Sequence, residues 1–355
     1  MRSPEADSSS FAEAIASKLS LPAKGVRATL GLFAQKATVP FIARYRKELT
    51  GGLDEVMLRQ IEAEQRSLSE LTQRKQTVIA ALEKQAALTD ELAARIAQCA
   101  TRAELEDLYL PFKPRRRTRA QAARERGLEP LAERILAQAL GGSLEREAQR
   151  FVSRECDVPD VAAAIQGAKD IVAEVVSERA DVRALCREAY RKHGWVRSVA
   201  VKKATEKGPT KFEQYYDYAE RVSKIPSHRY LAIRRGEEAG VLRVKIGIDE
   251  AEALLARMLR LMQHVARSPF GRALADAVHD GFERLLAGSI ENELAAELAA
   301  RSQARAIEVF ADNLQHLLLA APLGAKVVLG IDPGFRTGCK CAVVDGTGKL
   351  LEATT

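Results

Sequence analysis

The feature that most constrains the fold of this chain is a long apolar repeat that begins at Leu53. Apolar residues recur there in steps of three, four or seven, with polar residues between them. This period places one apolar stripe along an α-helix, and its length predicts a single extended helix. A second long helix is predicted from Ser289 to Ala321, where Pro322 and Gly324 end it. The apolar positions of the first helix are Leu53, Met57, Ile61, Leu68, Leu71, Val78 and Leu82.

The composition agrees with a helical chain. Ala, Leu, Glu and Arg are abundant and aromatic residues make up only 5% of the 355 residues, which favours helix over sheet. The net charge of +7 favours polyanionic partners, although a helical protein with another role can carry the same charge. We predict a mainly α fold, with a helical region over residues 11–323 after a disordered, polar tail over residues 1–10.

Two stretches depart from the helical pattern. Residues 195–248 contain strand-like alternation at Val196–Val201 and Val241–Ile246, which predicts a small mixed α/β insertion. Residues 324–355 begin with the apolar run Val327–Leu329, and we expect Pro333-Gly334 to turn the chain into a returning strand at Cys341–Val344. A third strand begins at Lys349, after a second turn, so three strands are predicted in this stretch.

The densest positive charge lies in residues 113–126, where seven of fourteen residues are basic and one is acidic. Such a segment binds phosphate through charge and counterion release, with little sequence preference. The alternative is a solvated loop whose arginines pair with Glu104, Glu106 and Asp107. The candidate phosphate contacts are Lys113, Arg115, Arg116, Arg117 and Arg119.

The mixed insertion supplies a second basic group. Phe212–Tyr218 gathers four aromatic residues among the cations, and aromatic rings beside cations are what a stacking surface for single strands needs. The alternative is that these rings form the core of the insertion. The candidate contacts here are Lys202, Lys203, Lys207, Lys211, Arg229, Arg234 and Arg235.

A third basic stretch, residues 38–47, carries Arg44, Arg46 and Lys47, which could touch phosphate. In the alternative interpretation the charges face water, while Phe41, Ile42 and Tyr45 pack in the core.

Asp332 follows the first C-terminal strand and could hold a divalent metal against a phosphodiester, or it could cap a turn. A metal-dependent nuclease needs several carboxylates, and we predict no catalysis by this chain. No zinc spacing, phosphate-binding glycine loop or nucleophile triad is present, so no cofactor or metal is predicted. Five scattered cysteines predict reduced thiols and a cytoplasmic protein, and the absence of a long apolar run predicts no membrane association.

Four segments carry a resemblance to a known family. GIDPGFRTG (330–338) with VVDGTGK (343–349) resembles the opening of a YqgF domain. The resemblance implies that residues 324–355 are the first strands of an α/β RNase H-like domain. VPFIARYRKELTGGLDE (39–55), LEDLYLPFKPRRRTRAQAARERGLEPLA (105–132) and KIPSHRYLAIRRGEEAGVL (224–242) resemble the bacterial Tex proteins. These segments occur in the family's order over nearly the whole chain.

The resemblance implies an RNA-binding transcription accessory protein whose N-terminal region contains a helix-turn-helix-like module. It makes Asp332 the match to the first carboxylate of an RNase H-like site, in a domain that need not be active. Tex proteins continue into helix-hairpin-helix repeats and a C-terminal OB-fold RNA-binding domain, so we expect this chain to be the N-terminal portion of a longer protein.

Three functions follow as hypotheses. The first is a nucleic-acid-binding transcription factor with RNA as its first partner and DNA as its second. Another is a metal-dependent nuclease or resolvase in the full-length protein. The third is a helical scaffold that docks RNA polymerase or ribosome-associated components.

Overall fold

The structure is a computed structural model that describes residues 4–113, 117–206, 208–334 and 338–355. The chain folds into two compact units that interleave in sequence. The first unit contains residues 1–194 and 247–291, and the second contains residues 195–246 and 292–355. The prediction of a mainly α fold with a small mixed insertion and a final set of strands is confirmed.

The elements before the insertion are all helical. They are α1 (Pro4–Leu19), α2 (Ala23–Ala34), α3 (Val39–Tyr45), α4 (Glu55–Lys84), α5 (Asp90–Gln98), α6 (Arg102–Tyr109), α7 (Arg119–Glu125), α8 (Glu129–Ala137), α9 (Leu144–Ala148), α10 (Val161–Glu178) and α11 (Ala180–His193).

Strands and helices alternate in the remainder. The elements are β1 (Trp195–Ala200), α12 (Lys202–Thr205), β2 (Asp217–Arg221), α13 (Ser227–Glu238), β3 (Leu242–Gly247), α14 (Ala251–Leu261), α15 (Gly271–Asp280), α16 (Ala287–Leu318), β4 (Val328–Gly334), β5 (Gly338–Val344) and β6 (Leu350–Thr354). A π-helical segment, Gly281–Leu286, joins α15 to α16 without a break.

The N-terminal tail differs from its prediction. Helix α1 begins at Pro4, so residues 4–10 are helical where the polar sequence predicted disorder. The physical reason is that a helix is costly to nucleate and cheap to extend. The turns from Phe11 to Leu19 are anchored by buried Ala12 and Ile15, and polar residues extend a helix that packing has already formed.

Helix α4 is the long helix that the apolar repeat predicted, and it spans 30 residues. Asp54 caps it, with the carboxylate accepting a hydrogen bond of 2.8 Å from the backbone N–H of Met57. Its first half packs with α1–α3 through Leu58 and Ile61. Its second half contributes Val78 and Leu82 to a separate cluster with α5 and α6.

Helix α10 is the centre of the first unit. It packs against α7, α8, α15 and the π-helical segment. Its close fit to its neighbours depends on glycines: a Cβ at Gly167 would lie 2.4 Å from a methyl carbon of Leu128, and one at Gly281 would lie 2.9 Å from the carbonyl oxygen of Ala173. A Cβ at Gly167 would also lie 3.4 Å from the Cβ of Ala123, so α7, which is part of the basic segment, packs directly against α10.

The mixed insertion forms a three-stranded sheet in the order β2-β1-β3. Strands β1 and β2 are antiparallel, with Trp195 opposite Arg221 and Val199 opposite Asp217. Helix α13 lies close to the sheet at Gly236, where a Cβ would meet Leu242 of β3 at 2.5 Å. The tyrosine of α13, Tyr230, is fully buried and donates a hydrogen bond of 3.0 Å to the carbonyl oxygen of Ala295 in α16.

The C-terminal strands form a second antiparallel sheet in the order β4-β5-β6. Contrary to the predicted turn at Pro333-Gly334, both residues continue β4 and pair with Cys339 and Gly338. In the described sheet β4 pairs on one side only, and proline, which cannot donate to a ladder, is typical of such edge strands. Residues 335–337, between β4 and β5 in the sequence, lie outside the described residues.

Candidate nucleic-acid interface

Of the five candidate phosphate contacts in the basic segment, residues 113–126, the structure describes Lys113, Arg117 and Arg119. Lys113 is half-buried, and its ammonium lies 2.5 Å from a carboxylate oxygen of Glu106 and 5.6 Å from the centre of the Tyr109 ring. Arg117 is 72% exposed and donates a hydrogen bond of 2.6 Å to Glu125. Arg119 is exposed at the first position of α7. Arg115 and Arg116 lie outside the described residues.

Glu106 shows why Lys113 differs from the two arginines. Burial opposes ionisation of this carboxyl, but hydrogen bonds from Arg74 and Lys113 outweigh it and lower the pKa of Glu106 to about 2. The bond from Arg74 is 2.7 Å long and ties α4 to α6. Lys113 is therefore one member of a structural ion cluster, while Arg117 and Arg119 extend from the surface.

The three carboxylates that could pair with the basic segment have different roles in the structure; they are Glu104, Glu106 and Asp107. Glu106 does bind Lys113, but Glu104 closes the N-terminus of α6, where its side chain and that of Thr101 form a capping box. Asp107 is buried and accepts hydrogen bonds from Arg183, at 2.7 Å, and Arg187, at 3.0 Å. Two of the three local acids are thus used by the fold rather than by the basic segment.

A cleft of about 570 Å³ adjoins the segment. Its wall includes Lys113, Thr118, Arg124, Glu174 and Arg179. Glu174 accepts hydrogen bonds of 2.9 Å from the Thr118 hydroxyl and 2.6 Å from the Arg124 guanidinium. The cleft therefore carries both signs of charge, and its carboxylate already has two donors.

The lysines of the mixed insertion are on its surface. Lys202 and Lys203 are exposed on α12, and Lys211 is exposed with its ammonium 5.2 Å from the centre of the Phe212 ring. Lys207 lies outside the described residues.

The arginines of the insertion have partners close by. Arg229 lies 3.3 Å from Glu220, Arg234 pairs with Glu237, and Arg235 donates to the carbonyl oxygen of Leu231 at 3.3 Å. Arg234 and Arg235 also line a groove of about 980 Å³ between α13 and α16.

The aromatic residues of the insertion form its core rather than an open stacking surface. Phe212 and Tyr215 are buried, and the Tyr216 hydroxyl is hydrogen-bonded to the Thr210 side chain at 3.0 Å. Tyr218 meets Tyr215 edge to face, with ring centres 5.4 Å apart. The geometry favours the structural alternative for this cluster.

Two other aromatic residues lie on the surface of α3, although the alternative interpretation of residues 38–47 packed them in the core. Phe41 and Tyr45 of α3 are exposed, while Ile42 between them is fully buried. Their spacing of four residues in a helix is the signal that could have separated them from Ile42, since residues four apart share a face.

Asp332 lies within β4, exposed and paired across the ladder with Lys340. Over the described ranges, His, Cys, Asp and Glu side chains form no group of three or more that could hold a metal ion. In the same part of the chain, every helix is too short or too polar to cross a lipid bilayer.

The candidate residues fall into two groups. Lys113, Arg117 and Arg119 belong to the first unit, and the cations of the insertion belong to the second. Together, the fold and these surfaces define a basic, mainly helical protein that ends in a small antiparallel sheet.

Comparison with known proteins identifies the family. Residues 9–83 match the Tex-like protein N-terminal domain, residues 142–310 the Tex central region-like family, and residues 326–355 the Tex protein YqgF-like domain. The chain therefore belongs to the Tex family.

Individual relatives agree with the domain matches. The chain is 41% identical to Protein tex of Bordetella pertussis over 99% of its length, and 40% identical to the transcriptional accessory protein Tex of Neisseria gonorrhoeae over 95%. It is 30% identical to the human S1 RNA-binding domain-containing protein 1 over 90% of its length. It spans 46%, 45% and 33% of these relatives' own lengths, respectively.

Proposed function

We propose that this chain is a nucleic-acid-binding transcription accessory factor that contacts phosphate largely independently of sequence, with RNA as its first ligand and DNA as its second. The observation that carries the proposal is the concentration of cations in residues 113–126, seven basic against one acidic, with Arg117 and Arg119 exposed. The names of two relatives support it: one is called a transcriptional accessory protein, and the other carries S1 RNA-binding in its name.

Energetics rank the candidate contacts. The Arg117–Glu125 pair is exposed, and such a pair is worth about 0–1 kcal/mol, so a phosphate can replace Glu125 at little cost. Lys113 is held by a half-buried carboxylate whose charge the fold stabilises. Arg117 and Arg119 are therefore the leading contacts, and Lys113 acts mainly by holding the base of the segment in place.

Binding without catalysis is part of the proposal. Nuclease chemistry on an RNase H-like fold requires several carboxylates around one or two metal ions. Asp332 stands on an exposed strand with a lysine opposite it. If this chain cleaves nucleic acid in the presence of Mg²⁺ and Asp332→Asn abolishes the cleavage, its function is that of a nuclease and the proposal is wrong.

The test is fluorescence anisotropy with labelled single-stranded RNA and duplex DNA across a salt series. We expect the affinity of the wild type to fall steeply with salt. Arg117→Ala/Arg119→Ala should weaken binding and reduce the slope of log K against log salt by about 1–2, because two phosphate contacts are lost.

The matched control is Lys192→Ala/Arg305→Ala, which removes two exposed, paired cations and so makes the same change in net charge. It should leave the slope unchanged. Absence of binding at low salt, or an equal effect of both double variants, would contradict phosphate contact by this segment.

A docking scaffold is the second candidate. It is favoured by exposed apolar side chains along the end of α16, among them Ile307, Phe310, Leu317 and Leu318. Association with RNA polymerase or ribosome-associated proteins that survives high salt and nuclease treatment would support this role over the first.

A further inference from the structure

Helix α3 holds two aromatic rings in solvent. Val39 and Ile42 are buried and anchor the helix to α4, whereas Phe41 is 40% exposed and Tyr45 is 65% exposed. Because residues four apart lie on one face of a helix, the two rings form one surface. Their centres are 5.4 Å apart and their planes are inclined at 46°.

Three cations are close to these rings in the sequence. Arg44, Arg46 and Lys47 are exposed, and none of them forms an ion pair with a carboxylate in the part of the chain that the structure describes. The Arg46 guanidinium lies 5.5 Å from the centre of the Phe41 ring and also donates to the carbonyl oxygen of Tyr45 at 3.2 Å. The three cations outnumber their acidic neighbour, Glu48, so the net charge of this surface is positive.

The local charge separates this surface from four of the other basic positions. Lys113, Arg117, Arg229 and Arg234 each have a carboxylate within ion-pair distance, so a phosphate must displace a partner there. At α3 the guanidinium and ammonium groups meet a phosphate without that competition. The surface is thus matched to a ligand that carries both negative charge and flat apolar rings.

We propose that Phe41 and Tyr45, with Arg44, Arg46 and Lys47, form a base-stacking site for single-stranded nucleic acid. The inference rests on the proposed nucleic-acid-binding function and adds the class of ligand. Tyr45, as the more exposed ring, stacks on an unpaired base, and the cations contact the flanking phosphates. A duplex does not fit this site, since its base faces are already covered by neighbouring base pairs.

Two substitutions of Tyr45 distinguish the loss of ring stacking from the loss of apolar surface. Tyr45→Leu keeps an apolar side chain and removes the ring, whereas Tyr45→Phe keeps the ring and removes only the hydroxyl. The side chain at this position is solvent-exposed, so both variants should keep the thermal melting curve of the wild type. Leu140→Ala, which changes an apolar side chain that is also largely exposed, is the control for surface effects.

The experiment measures anisotropy with three probes of equal length: a single-stranded RNA, the same strand with abasic sites, and the corresponding duplex. Because a stacked base adds to the affinity, Tyr45→Leu should bind the intact single strand about ten-fold more weakly, which corresponds to about 1.4 kcal/mol. Its salt slope should be unchanged, because no phosphate contact is removed. Tyr45→Phe and Leu140→Ala should bind like the wild type.

The abasic strand provides the decisive comparison. The wild type and Tyr45→Leu should bind it with the same, lower affinity, since it has phosphates but no bases at the site. Two results would overturn the stacking site. In the first, the wild type and Tyr45→Leu bind the intact strand with equal affinity. In the second, Tyr45→Leu loses as much affinity for the abasic strand as for the intact strand. In the first case the α3 surface would be reassigned to a protein partner, with Leu49 beside it also exposed.

Failure of this inference is distinguishable from failure of the proposed function. If Arg117→Ala/Arg119→Ala loses affinity and Tyr45→Leu does not, phosphate binding stands and stacking falls. If the wild type binds none of the three probes at low salt, both are overturned.

Discussion

At the residue scale, ionisable side chains of this protein divide into those that build the fold and those that face solvent. Asp107, Arg183 and Arg187 are all buried, and the single carboxylate accepts from both guanidiniums. Removing one partner of such a group is costly, because the remaining charge stays in a medium of low polarity. From the sequence, Asp107 was an alternative partner for the arginines of the basic segment, whereas its observed partner Arg183 lies 76 residues further along the chain.

Glu106 leads to a prediction about pH. Its pKa is about 2 in the folded protein against an ordinary value of 4.5, so ionisation of this carboxyl favours the folded state. The stabilisation is complete above pH 4.5 and is lost as the pH falls towards 2. Glu106→Gln should lower the free energy of unfolding at neutral pH by ~1–2 kcal/mol, after allowance for partial exposure, and the difference from the wild type should shrink in acid.

The measurement is chemical denaturation of both proteins at a series of pH values from neutral to acidic. Glu133→Gln is the control: Glu133 is exposed on α8 and forms no ion pair within the described ranges. A difference between Glu106→Gln and the wild type that stays constant with pH would contradict a stabilising role for the ionised carboxylate.

At the element scale, the clearest comparison lies within α2, which contains two glycines in different surroundings. A Cβ at Gly25 would lie 2.5 Å from the backbone carbonyl oxygen of Thr50, a residue that is itself buried. At Gly31 no atom lies within 4 Å of the same position. One glycine is needed for close packing and the other only weakens the helix.

Gly25→Ala should therefore destabilise the protein by ~1–3 kcal/mol, since the backbone at Thr50 must move to accept the methyl group. Gly31→Ala should stabilise it by ~0.5–1 kcal/mol, because alanine restricts the unfolded chain and favours helix. Urea unfolding of the two variants and the wild type checks both signs. Destabilisation of equal size in both would show that close approach is not what distinguishes the sites.

At the scale of the whole molecule, stability is distributed unevenly. Helix α10 has nine buried residues, whereas none of the described residues of the sheet β4-β5-β6 is buried. A sheet of three strands whose described residues are all at least partly exposed has little apolar burial to keep its hydrogen bonds from opening.

We therefore expect amides of β4–β6 to exchange with solvent deuterium much faster than those of α10 when this chain is studied by hydrogen exchange and mass spectrometry. The peptides of α10 serve as the internal reference. Protection of β4–β6 comparable to that of α10 would mean that the sheet is covered in solution, and the prediction would be wrong.

Local sequence determined the helices and strands whose formation depends only on their own residues. The apolar period of α4 and the alternation of β1 and β3 each predicted the observed element, because helix period and strand alternation are local properties. The family resemblance was likewise readable from contiguous motifs. The cation density of residues 113–126 required no structure either.

Tertiary structure decided which side of each element faces solvent and which partner each charge takes. It placed Tyr215 in a core and Tyr45 in solvent, although both are aromatic residues among cations. It gave Asp107 to two arginines of α11 and left Arg44 and Lys47 without carboxylate partners within the described ranges. Burial and pairing depend on residues far apart in the chain that packing brings together, and a linear sequence read by its local patterns does not contain those distances.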